Sequence, residues 1–177
     1  MSTNRPGFWE LVIKTSAAHT ITYFIMGLLA FGFFNYAERF SRPEMACWMR
    51  PTTDILVLAG PLFQPLRGMI FALALYPLRA VLFAHPRGWL IIGWLLTALG
   101  ILSTFGPAPG SIEGMIYTVL PILDQLVGWL EVIPQAFLMA FLVWYWVRSP
   151  DKRWLNWVMG IVFSILYAMP ILGLLVR

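Results

Sequence analysis

Residues 114–147, GMIYTVLPILDQLVGWLEVIPQAFLMAFLVWYWV, limit what this chain can fold into more than any other stretch. The run is apolar except for two carboxylates, Asp124 and Glu131, and a few amides and hydroxyls, with Pro121 and Pro134 inside it. On a helix, Asp124, Gly128, Glu131 and Gln135 fall at i, i+4, i+7 and i+11 and form one polar stripe, with Gln125 beside it. An ionised carboxylate in hydrocarbon costs about 2.5–3.5 kcal/mol on insertion scales. Two on one face therefore imply a polar surface turned away from lipid.

The rest of the composition agrees with a membrane setting. The chain has 177 residues, of which 60% are hydrophobic and 11% charged, and a mean hydropathy of +0.77. Soluble domains carry about 25% charged residues, so a water-facing globule is the wrong class. The abundance of apolar and aromatic residues excludes a disordered chain. No basic cluster is large enough for a nucleic-acid partner. A single cysteine, Cys47, permits neither an internal disulfide nor a cysteine-based zinc site. His19 and His85 alone make no metal cluster, so no metal and no cofactor is expected.

The apolar runs predict an all-α, polytopic bundle of about five transmembrane helices in a single integral membrane domain, 1–177. The approximate spans are 17–36, 57–80, 88–105, 118–147 and 154–176. The first run is too long for a signal-peptide core and lacks a small-residue cleavage site, so it is expected to remain as a helix. The second and fourth are too long for one straight span. They contain Pro61 and Pro65 in one case and Pro121 and Pro134 in the other, so both are expected to be broken helices. Between the third and fourth, GPAPGSIEG (106–114) must be a tight loop. Gly160, Ser164 and Ala168 form a small-residue ladder, expected to pack the fifth helix closely against a neighbour.

Lys and Arg placement orients the bundle. With the N-terminus inside, Arg5, Lys14, Arg79, Arg87, Arg148, Lys152 and Arg153 lie inside, and Arg39, Arg42, Arg50 and Arg177 outside. A sixth span, made by folding the fourth into a hairpin, would move the RSPDKR turn outside and fits the charges less well. The expected location is the inner cell membrane, multi-pass, with the lipid bilayer as the first partner.

The second span carries its own stripe. Gly60, Gln64 and Arg67 recur at i, i+4, i+7, and Arg67 is expected within reach of at least one of Asp124 and Glu131. The candidate pathway is thus Gln64, Arg67, Asp124, Gln125, Glu131 and Gln135, with His19 as a candidate proton carrier. A structural ion pair locking two helices is the plainer reading of the charges. Two carboxylates, three glutamines and four prolines exceed what a lock requires, and broken helices at membrane depth are tolerated where they line a cavity. Transport of a small solute or ion, with proton coupling as one form of it, fits best, and five spans suggest a homodimer or association with other membrane subunits. The alternatives are an embedded enzyme acting on a lipid or isoprenoid head group and a non-catalytic subunit. The enzyme reading lacks a nucleophile–base pair or a metal-ligand motif.

Overall fold

The computed structural model describes residues 5–176, which are all-helical; Arg177, counted above among the outer charges, lies outside the described residues. Four helices are long and apolar enough to cross a membrane: α1 (Phe8–Phe34), α2 (Ile55–Leu75), α4 (Ile122–Arg148) and α5 (Arg153–Leu175). Between α2 and α4 lies a shorter apolar helix, α3 (Gly88–Leu102). At 1.5 Å per residue it reaches about 22 Å against a hydrocarbon core of about 30 Å.

Helix α1 is the hub. It packs on α2, α4 and α5, and its buried residues include Leu11, Ala18 and Ile21 together with polar Thr15, His19, Thr20 and Thr22. The core continues through Ala72 and Leu75 of α2, Ile92 of α3, and Met139, Ala140 and Val143 of α4. Thr20 and Thr22 spend their hydroxyls on the Ser16 and His19 carbonyls of their own helix, so these polar side chains can sit inside an apolar bundle.

The close approach of α1 and α2 depends on Gly68. A Cβ there would lie 2.4 Å from the Ser16 Cα, and Ser16 Oγ donates to the Pro65 carbonyl at 2.9 Å. Gly68→Val should therefore push the two helices apart and lower the melting temperature in detergent, an overpacking penalty of about 1–3 kcal/mol. An unchanged melting curve would mean that this contact is not what holds α1 on α2.

Local chemistry explains where each helix starts and bends. Asp54 caps α2 by accepting the Leu56 N–H at 2.8 Å. That bond first, and then Arg50, hold its carboxyl below the usual range. Gly60–Phe63 tighten into a 3₁₀ turn at Pro61, after which Gln64–Leu75 resume as α-helix. Within 114–147 the chain breaks at Thr118–Pro121, between a short helix (Ile112–Tyr117) and the start of α4. From there α4 runs through Pro134 without a change of helix type. The excess length of that stretch is taken up by the loop.

The connections group at two ends of the bundle. Residues 35–54 and 103–121 form one end, called here the loop face. The opposite end carries the start of α1 and the turns at 76–87 and 149–152. Lys14 ties this second end together: its Nζ donates to Glu10 Oε1 at 2.7 Å and to the Trp146 carbonyl at 3.2 Å, near the C-terminus of α4.

The ladder on α5 corrects one expectation. Gly160, Ser164 and Ala168 are exposed, and α5 meets the bundle through Leu155, Met159, Val162, Phe163 and Leu166 instead. The bulky side of the helix packs inward because it buries more apolar surface. Within this chain the small side faces outward.

Candidate functional site

A cavity of about 510 Å³ opens between α1, α2, α3 and α4. Its architecture follows from the short third helix. The last turn of α3, Ala98–Leu102, widens to a π-helix, and the helix ends there. The loop that follows supplies Thr104, Ala108 and Pro109 to the cavity wall, and Gly100 and Ile101 of the π turn stand beneath them. The remaining apolar wall comes from Ile70, Phe71, Leu96, Val132, Ala136 and Met139.

Besides Thr104, five polar residues line this space: His19, Tyr23, Arg67, Glu131 and Gln135. Arg67 has no carboxylate within 4.0 Å among the described residues; the ion pairs there are Lys14–Glu10, Arg39–Asp124, Arg42–Asp124 and Arg50–Asp54. Its guanidinium stands 5.8 Å from the centre of the Phe71 ring. His19 meets the same ring edge-on at 5.1 Å. Arginine and histidine therefore flank one aromatic side chain on the cavity wall.

His19 is held by Gln64. The Gln64 amide nitrogen donates to the Gly60 carbonyl at 3.1 Å, which turns its oxygen toward His19 Nε2, 3.0 Å away. The oxygen can only accept, so Nε2 carries the proton and Nδ1 is left as a lone pair. That Nδ1 is buried without a partner. An unmatched acceptor in a 3%-exposed side chain is uncommon enough to need a reason.

Glu131 takes a different partner. The Tyr36 hydroxyl, just beyond α1, donates to Glu131 Oε2. Burial, reinforced by this bond, pushes the Tyr36 hydroxyl's pKa up, so it remains a proton donor. No cation lies within 4.0 Å of Glu131 among the described residues. The site thus holds an arginine without an anion and a glutamate without a cation.

The other residues of the two stripes have separate duties. Asp124 stands two helical turns before Glu131, at the end of α4, where loop arginines reach it: Arg39 Nη2 lies 2.7 Å and Arg42 Nη1 3.9 Å from Oδ1. The expected partnership of Arg67 with Asp124 is therefore replaced by one with Arg39, because the loop 35–54 folds back over the start of α4. Gln125 is buried under the loop face rather than in the cavity wall. It accepts the Gly110 N–H at 3.1 Å and donates to the Leu120 carbonyl at 3.0 Å.

Trp129 adds a donor to the Gly110 carbonyl at 2.8 Å, and Gly110 itself needs its freedom, with φ at +85°. Together these bonds fix the loop that roofs the cavity. Gln125→Leu should strand the Gly110 N–H and the Leu120 carbonyl, at about 1–3 kcal/mol per stranded group. The expected sign is protease cleavage within 106–117 that the wild type resists; equal resistance would show that the loop is held by other means.

Sequence reasoning missed Tyr36, the last residue of the first expected span, and Arg39 just beyond it. The loop of Thr104, Ala108 and Pro109 also carried no signal as a wall. The aromatic spacing Tyr23–Tyr36 and the concentration of arginine in 39–50 were the only available pointers. No family model, no curated protein and no solved structure matches this chain.

Proposed function

We propose that the chain is a multi-pass membrane protein that binds a small polar solute in this cavity and carries it across the bilayer. The observation that supports it is Arg67. An arginine inside an apolar helix, with no carboxylate within 4.0 Å among the described residues, carries a charge that must be met from elsewhere. A solute entering a cavity of about 510 Å³ can meet it, and that volume is within the range of small-molecule sites. A lock between helices would have matched Arg67 to Asp124 or Glu131 inside the protein.

In this reading α3 is a fifth, short crossing, and the loop that follows it closes the cavity toward the loop face. Alternate crossing then puts Arg39, Arg42 and Arg50 on the outside and Arg79, Arg87, Arg148, Lys152 and Arg153 on the inside, as the preference for cytoplasmic cations favours. The native Cys47 is exposed on the loop face and tests this directly. A membrane-impermeant maleimide added to intact cells should label wild-type protein and miss a Cys47→Ser/Asp151→Cys variant. The reverse pattern would invert the orientation.

Transport itself is tested in proteoliposomes. Purified protein should raise the uptake of small carboxylate-bearing solutes above that of empty vesicles, and Arg67→Gln should return it to background. Recovery of the solute chemically altered, with no accumulation inside, would favour a membrane-embedded enzyme instead.

A further inference from the structure

We propose that the solute is a small zwitterion with an apolar body, an α-amino acid with a hydrocarbon side chain, its carboxylate on Arg67 and its ammonium on Glu131. The inference rests on the solute-binding reading above and adds the chemical class.

Charge balance carries it. One cavity contains an arginine with no carboxylate within 4.0 Å and a glutamate with no cation within 4.0 Å among the described residues. A simple anion would satisfy Arg67 and place a second negative charge in the same space as Glu131. A simple cation would do the converse. A ligand with both charges meets each side chain with its opposite and keeps the sum at zero, and local pairing weighs most where the surroundings are apolar and screening is weak.

The hydrogen-bond inventory points the same way. An ammonium brings three donors and no acceptor. Glu131 offers carboxylate oxygens on the cavity wall. Gln135, from the same wall, can add its amide oxygen. On the opposite side a carboxylate matches the arginine fork in a bidentate manner. Most of the rest of the wall is apolar, with Phe71 beside Ile70, Leu96 and Met139, and Tyr23 and Thr104 add two hydroxyls. The apolar part suits an aliphatic or aromatic side chain.

Leucine and its two truncated analogues make the test. 4-Methylpentanoate is leucine without the ammonium, and 3-methylbutylamine is leucine without the carboxylate. Binding of tritiated leucine, then competition by the analogues, is measured on the full chain in nanodiscs of phosphatidylglycerol. Leucine is expected to bind, and each analogue to compete about 10- to 100-fold more weakly, the range for losing one charge-assisted contact. Glu131→Gln keeps an acceptor for Tyr36 and should weaken leucine by a similar factor while 4-methylpentanoate, relieved of the Glu131 charge, binds more tightly than to wild type, which also shows that the pocket is folded.

If 4-methylpentanoate binds as tightly as leucine and depends on Arg67 but not Glu131, the cavity is an anion site: the zwitterion is overturned and the solute reading stands. If none of the three binds to protein with a wild-type melting curve, and no uptake of any carboxylate is found, both are overturned. Phosphatidylethanolamine presents the same pair of charges from the bilayer, so a second arm adds it to the nanodisc. Its retention by wild type and loss in both Arg67→Gln and Glu131→Gln, without leucine binding, would place the zwitterion on a lipid.

Discussion

Arg67→Gln is expected to lower the affinity of the cavity for any carboxylate-bearing solute by about 30- to 1,000-fold, the loss that follows truncation of one partner in a buried charge pair. The melting temperature of the empty protein should hold or rise. The two effects have opposite signs because Arg67 is unpaired in the empty site, so removing it deletes a charge that the protein itself does not compensate. A structural arginine would behave the other way, with a large fall in stability and no specific effect on binding. Glutamine retains hydrogen-bonding ability and a comparable stem, which keeps the packing against Phe71 from confusing the result. Adding Asp124→Asn should leave the affinity of the Arg67→Gln protein unchanged and lower its melting temperature by as much as it does in the wild-type background, since Asp124 is bound to Arg39, 2.7 Å away. Isothermal titration with leucine and a melting curve on the same preparation are sufficient. A drop in melting temperature with unchanged affinity would remove Arg67 from the site.

What the sequence made legible was the class of fold and the existence of a buried polar face, and physical reasons set the boundary. Apolar runs of helix length in a chain with 11% charged residues read directly as helices, because backbone groups in lipid must be satisfied within the segment. Periodicity put Arg67, Glu131 and Gln135 on inward faces, and these three meet in one cavity with His19. Periodicity also put Asp124 and Glu131 on one stripe, but a stripe has length as well as direction. At 1.5 Å per residue the two acids are about 10 Å apart along the axis, far enough to belong to different neighbourhoods. Which arginine meets Asp124 depends on how the 35–54 loop folds back, and nothing in a loop's composition reveals its path. Gln125 was misassigned for the same reason: its partners are backbone groups of Gly110 and Leu120, which have no side-chain signature. The α5 ladder shows the limit of a motif. Small residues permit a close approach, but the helix turned its larger apolar residues inward.

Asp124→Ala should be the most destabilising single change outside the core, at about 3 kcal/mol. The side chains of Arg39 and Asp124 are 12% and 18% exposed, so neither is well solvated. Arg39 also donates to the Asp124 carbonyl at 3.2 Å, which joins the loop to the first turn of α4 through two bonds. The carboxylate sits favourably in that turn, where the helix dipole presents its positive end. Removing it leaves the Arg39 guanidinium at the edge of the bundle with only one carbonyl, and Arg42, 3.9 Å from the same oxygen, close by with the same sign. Arg39→Met in the wild-type background should cost less, because Arg42 and the dipole still serve the carboxylate. The double variant Arg39→Met/Asp124→Leu should recover most of the loss, since paired removal leaves no uncompensated charge. Because the pair lies outside the cavity, the double variant should also bind leucine as the wild type does. Thermal melts of the four proteins give the coupling energy, and the leucine titration gives the second arm. Stability recovered together with binding would assign this pair to holding the loop face in place; binding lost despite recovered stability would bring Asp124 back into the solute path.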